Sequence, residues 1–361
     1  MRQSGLASEH AKWKATPYPK RADGVRTSAR TFIVTLTAGI AGAALGALAN
    51  IPAGALIGST LAVAGVAAFG LPVGLPDRLR DVAFAAIGVS LGSGVDERLL
   101  DQIGTWGISL SILVISLVAT ILTGRLILTR GFGFDRQTAT LSSSPGTMSN
   151  AVAIAVDGGG DATAVMFLQL MRLIGLLILV PPLAVVFDTS DLMVTPIYTH
   201  MNLASLVGLL AAALMLGIVG SRFGVPAASL LAGMIVSSAA HAWGLVHGPT
   251  PPWVIFAAFT ITGAVLGSRM SRISLGQIRR YAIAGLATVA TAIVVSLIFA
   301  LFARALTDLS FGQIWIAYAP GGVEAMAAIG LSLGYDPTYV AVHHFARIFA
   351  LIIIVPIALK L

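Results

Sequence analysis

Residues 142–161 read SSSPGTMSNAVAIAVDGGGD. Three serines lead into Pro145 and Gly146, and an apolar run follows. Proline removes a backbone donor and clashes with the preceding turn, so a helix entering here stops and a new one starts beyond it. The same element returns at an offset of 175 residues: residues 318–336 read YAPGGVEAMAAIGLSLGYD, with Pro320 and Gly321 in the matching places.

The register extends well beyond the breaks. FAAIGVSLGS (84–93) matches FTITGAVLGS (259–268), Asp161 matches Asp336, Arg172 matches Arg347, and Pro181 matches Pro356. IPAGALIG from 51 pairs with VPAASLLAG from 225, one residue off the main register. So many matches in one register mark an internal duplication. The chain divides into a tail (1–30), a first repeat (31–187), a linker (188–200) and a second repeat (201–361).

Composition sets the environment. The chain is 57% hydrophobic and 10% charged, with a mean hydropathy of +0.92. Soluble domains average about 45–50% apolar and about 25% charged. Runs such as GISLSILVISLVATILTG and IAGLATVATAIVVSLIFALF can span about 30 Å of hydrocarbon, and they lack the alternation of a barrel strand. The fold class is therefore an all-α polytopic membrane protein. The absence of cysteine excludes disulfides, thiolate metal sites and cysteine nucleophiles. The tail carries seven Lys and Arg against Glu9 and Asp23, contains Pro17 and Pro19, and has no apolar periodicity. It reads as a disordered cytoplasmic segment that sets orientation. It has no pattern that reads base edges, so no direct nucleic-acid contact is expected.

Each repeat holds five ordinary hydrophobic segments, near 31–50, 52–70, 81–96, 104–124 and 162–187, and near 201–220, 226–245, 253–268, 281–303 and 337–359. Each also holds a Pro-Gly segment, 137–158 or 312–335. If that segment crosses the membrane, the repeats are parallel; if it dips and returns, they are inverted. Arginine decides between the two. With re-entrant dips, Arg98 and Arg304 fall outside, and every other loop or tail Lys and Arg is cytoplasmic. With six crossings per half, Arg222 and the cluster from Arg269 to Arg280 move outside while Arg304 moves in, leaving 14 inside against six outside. The positive-inside rule favours two inverted repeats, each of about five transmembrane helices plus one re-entrant segment, in the cytoplasmic (inner) membrane with the N-terminus inside. Broken helices meeting near the midplane, one per inverted half, are a transporter signature.

The polar residues gather at the breaks. Ser144, Thr147, Ser149 and Asn150 flank the first, and Tyr318 and Glu324 flank the second. A helix starting after Pro-Gly aims free N–H groups at the break, which suits a polar or anionic ligand; capping alone is the blander reading. A carboxylate such as Glu324 deep in a membrane segment is a functional candidate by default. It is expected to carry protons, or else to form a fixed ion pair with an arginine. In the following helices Gln169 lies three residues before Arg172, and His344 three before Arg347, so each pair shares a helix face. Both arginines sit near mid-segment, where they must face protein or water, and each could neutralise a carboxylate or hold an anionic solute bidentately. His344 is a candidate proton relay, against the commoner role of a helix–helix hydrogen bond. The expected substrate-binding set is thus Ser144, Thr147, Ser149, Asn150, Gln169, Arg172, Tyr318 and Arg347.

No His-x-x-x-His pair, phosphate loop, nucleophile elbow or dinucleotide fingerprint appears. Neither a cofactor nor an enzymatic activity is expected. The serine-rich Pro-Gly element, its following Asp161 and the LQLMRL segment around Arg172 resemble the AbrB-type membrane protein family over about 30–361. This family is distinct from the DNA-binding regulator of similar name. Its members carry labels of two kinds, regulator of gene expression and ammonia monooxygenase, and it resembles inverted-repeat cation–proton antiporters and anion transporters. The resemblance brings no residue roles with it. An oxygenase needs a copper or iron ligand set that this sequence lacks. The expected function is proton-coupled secondary transport of a small polar or anionic solute, with a membrane sensor or regulator as the alternative. The expected partners are the lipid bilayer, the solute and protons; self-association stays open.

Overall fold

The computed structural model describes residues 28–93, 99–145, 148–158, 160–187, 200–225 and 227–360. The basic tail up to residue 27 and the linker up to residue 199 lie outside these. Among the described residues the chain forms fourteen α-helices, one 3₁₀ turn and no strand. The first repeat supplies α1 (Ala29–Leu48), α2 (Gly54–Ala68), α3 (Asp77–Gly92), α4 (Leu99–Phe132), α5 (Arg136–Ser143), α6 (Met148–Gly158) and α7 (Ala162–Phe187). The second supplies α8 (Leu203–Arg222), α9 (Ala228–Ala242), α10 (Pro252–Ser268), α11 (Leu275–Leu306), α12 (Phe311–Tyr318), α13 (Val323–Ser332) and α14 (Pro337–Lys360), with the 3₁₀ turn Arg269–Arg272 between α10 and α11. Among the described residues seven helices (α1, α4, α7, α8, α10, α11 and α14) are long and apolar enough to cross a membrane. This is the architecture of a polytopic helical membrane protein.

Each Pro-Gly element is a pair of half-helices, α5–α6 and α12–α13. Asp135 caps α5 by accepting from Thr138 N, and Ser310 caps α12 from the equivalent position. The second half-helix then returns to the level at which the first began. The Asp161 N–H, just past α6, donates to Thr138 Oγ1 at 2.8 Å. The Asp336 N–H, just past α13, donates to Gln313 Oε1 at 3.2 Å. These two bonds are the same bond 175 residues apart. Asp161 and Asp336 then cap the long helices that follow, accepting from Ala164 N and Tyr339 N.

The two repeats interlock. α3 packs on α9 and α10 on α2; α7 packs on α11 and α14 on α4; α4 and α11 meet each other. Each of these pairings has its counterpart under exchange of the halves. The tightest contacts run along glycines. A Cβ on Gly88 of α3 would fall on the Leu230 carbonyl of α9, and one on Gly92 would meet the Met234 carbonyl. In the mirrored seam, Gly263 and Gly267 of α10 approach the Leu56 and Thr60 carbonyls of α2. Lipid offers no hydrophobic drive for helix association, so backbone proximity and dispersion must supply it. Gly88→Ala is therefore expected to lower stability by about 1–3 kcal/mol through overpacking, read as thermal unfolding in detergent. Gly65→Ala, where an added Cβ meets nothing within 4 Å, is the control. Equal effects at the two positions would show that the seam does not depend on close approach.

Candidate functional site

A helix that ends inside the protein leaves carbonyls without partners. Here the ends of α5 and α12 are satisfied from α7 and α14. Gln169 Nε2 donates to the Leu141 carbonyl at 2.9 Å, and Arg172 Nη1 donates to the Ser142 and Ser144 carbonyls, each at 3.2 Å. In the second repeat His344 Nε2 bonds the Ile316 carbonyl at 3.1 Å. Arg347 donates from Nη1 to Ala319 at 3.0 Å and from Nη2 to Gly321 at 2.6 Å. Leu141 and Ile316, and Ser144 and Ala319, are equivalent positions, so the same clamp is built twice. Both arginines are 2% exposed. A cation at a helix C-terminus also opposes the negative end of the helix dipole.

Of the roles open to the two arginines, this geometry does not show pairing with Glu324. Among the described residues neither has a carboxylate within ion-pair distance, because their N–H groups are turned to the carbonyls. Glu324 instead faces Arg269 at the end of α10, with Nη2–Oε1 at 3.6 Å. It lies in the first turn of α13, and its carboxyl folds back toward Gly322. The N-cap Gly322 provides no side-chain cap, so the carboxylate supplies the negative charge that a helix N-terminus favours.

His344 donates its Nε2–H to a backbone acceptor, and its neighbour His343 anchors a second polar group. His343 Nδ1 lies 2.8 Å from the Tyr339 carbonyl and Nε2 lies 2.9 Å from Ser109 Oγ. A carbonyl only accepts, so Nδ1 carries the proton and the neutral ring accepts at Nε2 from the Ser109 hydroxyl. Tyr339 OH also bonds Ser109 Oγ, and Tyr318 OH donates to the Ser109 carbonyl at 2.6 Å. Ser109 (α4), Tyr318 (α12), and Tyr339 and His343 (α14) thus form one buried network. Of these, only Tyr318 stands out in the sequence. Ser109 sits in an apolar run, and its first-repeat relation to the break is invisible because Ala284 replaces it in the second.

Ser144 and Pro145 are buried at the first break and Pro320 and Gly321 at the second. Gly146 and Thr147 lie outside the described residues. Ser149 and Asn150 fall in the first turn of α6, with their side chains outside the described set. Ser144 meets Arg172 through its carbonyl. Ser142 Oγ, Ser143 Oγ, Gln169 Oε1 and the Nε atoms of Arg172 and Arg347 are buried without a hydrogen-bond partner. Among the described residues no three His, Asp or Glu side chains gather as a metal site.

A duplicated helical membrane architecture with a clamped helix break in each half is the class that fold and site define. The family model described as "Transition state regulatory protein AbrB" matches residues 4–96 and 56–361, and the chain belongs to this AbrB family. Relatives include "Uncharacterized protein YhjN" of Bacillus subtilis (strain 168), 25% identical over 295 residues, 75% of each chain. Another is "Putative regulator AbrB" of Escherichia coli (strain K12), 27% identical over 154 residues, 42% of this chain and 44% of the relative.

The two clamps differ in a way that lysine substitution tests. Arg172 reaches both carbonyls from a single nitrogen, which an ammonium can imitate, whereas Arg347 uses its planar fork. Arg347→Lys is expected to orphan a carbonyl and to destabilise by about 1–3 kcal/mol, with Arg172→Lys closer to the wild type in thermal unfolding. The reverse order would overturn this assignment of the clamps.

Proposed function

We propose that this protein is a proton-coupled secondary transporter of a small polar or anionic solute, built as two inverted repeats around two re-entrant Pro-Gly hairpins. The observation that carries this reading is the pair of equivalent hydrogen bonds, Asp161 to Thr138 and Asp336 to Gln313. They tie each broken element back to its own entrance; with the shorter α2, α3 and α9 counted as crossings beside the seven long helices, five helices per half cross the membrane in this reading. An odd number of crossings inverts the second half relative to the first. The distribution of arginine supports the same arrangement, with the N-terminus and residues 269–280 in the cytoplasm. Interrupted helices at depth are tolerated where they are buried in protein or line a wet cavity, and such helices serve as binding centres in inverted-repeat transporters.

Glu324 is the proposed coupling group. It is mostly buried, its carboxyl is 3.6 Å from Arg269, and protonation would release that arginine and remove the charge at the N-terminus of α13. In proteoliposomes tested with a panel of small carboxylates and phosphate, Glu324→Gln should retain solute exchange and lose accumulation driven by a pH gradient. Accumulation that survives the substitution would assign coupling elsewhere. The regulatory name of the Escherichia coli relative favours the second reading, a membrane sensor, and flux by the purified protein alone separates the two.

Orientation has its own test. The native chain has no cysteine, so Thr189→Cys and Ser271→Cys report directly. An impermeant thiol reagent should label the first in intact cells and not the second. Labelling in the opposite pattern would refute the inverted arrangement.

A further inference from the structure

One cavity lies off the clamp of the first break, between α4, α5, α7 and α11. It is lined by Thr120, Ser143, Arg172, Thr288 and Thr291, with Gly124 and Ala292 completing the wall. Its volume is ≈ 10 Å³, room for about one water-sized atom. Gly124 opens it, because a Cβ there would collide with Ser143 Oγ. Two of the lining groups, Arg172 Nε and Ser143 Oγ, are buried with no hydrogen-bond partner. Arg172 Nε–H can only donate. The three threonine hydroxyls are bonded to carbonyls of their own helices, and a hydroxyl can rotate away from such a bond to serve a ligand. No acidic side chain lines the cavity.

The related place in the second repeat is filled differently. Leu113, Val295, Phe299 and Tyr318 stand where Thr288, Thr120, Gly124 and Ser143 stand. Tyr318 is held there by Ser109 and by its stacking on His343. The second break also has its own carboxylate, Glu324, where the first has Ser149. A duplicated frame is thus plugged by Tyr318 on one side, and on the other left open beside an arginine whose Nε–H has no partner.

We infer that the cavity beside Arg172 is the seat of an oxyanion: one oxygen of a small carboxylate or phosphate-like solute accepts from Arg172 Nε–H and the Ser143 hydroxyl. This rests on the transporter reading and names the solute class for it.

The test uses single cysteines at Thr291 and, independently, at Ser143, with Ser116→Cys, the counterpart of Thr291, as the comparison. The purified protein is treated with anionic sulfonatoethyl and cationic trimethylammonioethyl methanethiosulfonates, and rates are normalised to those of a free thiol. The pocket cysteines should react about tenfold faster with the anionic reagent, as a nearby buried cation dictates, and added phosphate or acetate should slow them. Arg172→Gln should abolish the preference, and Ser116→Cys should stay slow with both reagents. A cationic preference, or no reaction at either pocket position, overturns the inference. Failure of the transporter reading looks different: charge-selective labelling without flux keeps the oxyanion seat and removes transport, and flux with cationic preference does the reverse.

Discussion

The structure depends on a guanidinium turned toward the carbonyl end of a half-helix. A helix stopped by proline inside a membrane protein leaves acceptors that water cannot reach, and each unmet acceptor costs free energy on the scale of a lost hydrogen bond. Arg172 and Arg347 meet these acceptors from the next long helix in the chain. The same contacts offset the burial of the cation, since its charge faces the negative ends of peptide dipoles. Each partner makes the other tolerable. A break without the arginine would be unsatisfied, and the arginine without the break would be a bare buried charge.

The clamp also explains the order of elements. The hairpin must be followed at once by a long helix able to carry an arginine back to it, and Asp161 and Asp336 start those helices within hydrogen-bond reach of the hairpin's entrance. The long helices then pack on the other half, α7 on α11 and α14 on α4. Each break is thereby held by its own repeat and braced by the opposite one. The glycine seams do the same at the periphery, where α3 and α10 each press into a helix of the other half. The duplicated unit has no way to bury these faces alone.

The frame was legible in the sequence because it is written twice. Pro145 and Pro320, Arg172 and Arg347, and Asp161 and Asp336 fall in one register, and each turns out to have one structural job. The pairing of Gln169 and His344 with the arginines on one helix face follows from a spacing of three, and both reach the same carbonyl position. What remained hidden depends on which partner a side chain faces across helices. Arg269 reads as a loop cation, yet it meets Glu324. His343 and His344 are equivalent as letters, and only the rotation of α14 sends one to α12 and the other to Ser109. α4 runs from Leu99 to Phe132, beyond the apolar segment near 104–124, because Asp101, Arg125 and Arg130 interrupt the hydropathy without ending the helix.

Where the halves agree, the residues hold the backbone; where they differ, they set the chemistry. Ser109, Tyr318, Tyr339 and His343 form a closed set of donors and acceptors, whereas their counterparts Ala284, Ser143, Ala164 and Leu168 retain a single polar group. That polar group is Ser143, and it is one of the unpartnered atoms. A satisfied buried network is rigid, and an unsatisfied one is the place where a water or a ligand completes the count. The same logic separates Glu324, which brings its own charge to a helix N-terminus, from Ser149, which does not. Symmetry therefore supplies two equivalent clamps, and the loss of symmetry leaves one of them with donors to offer.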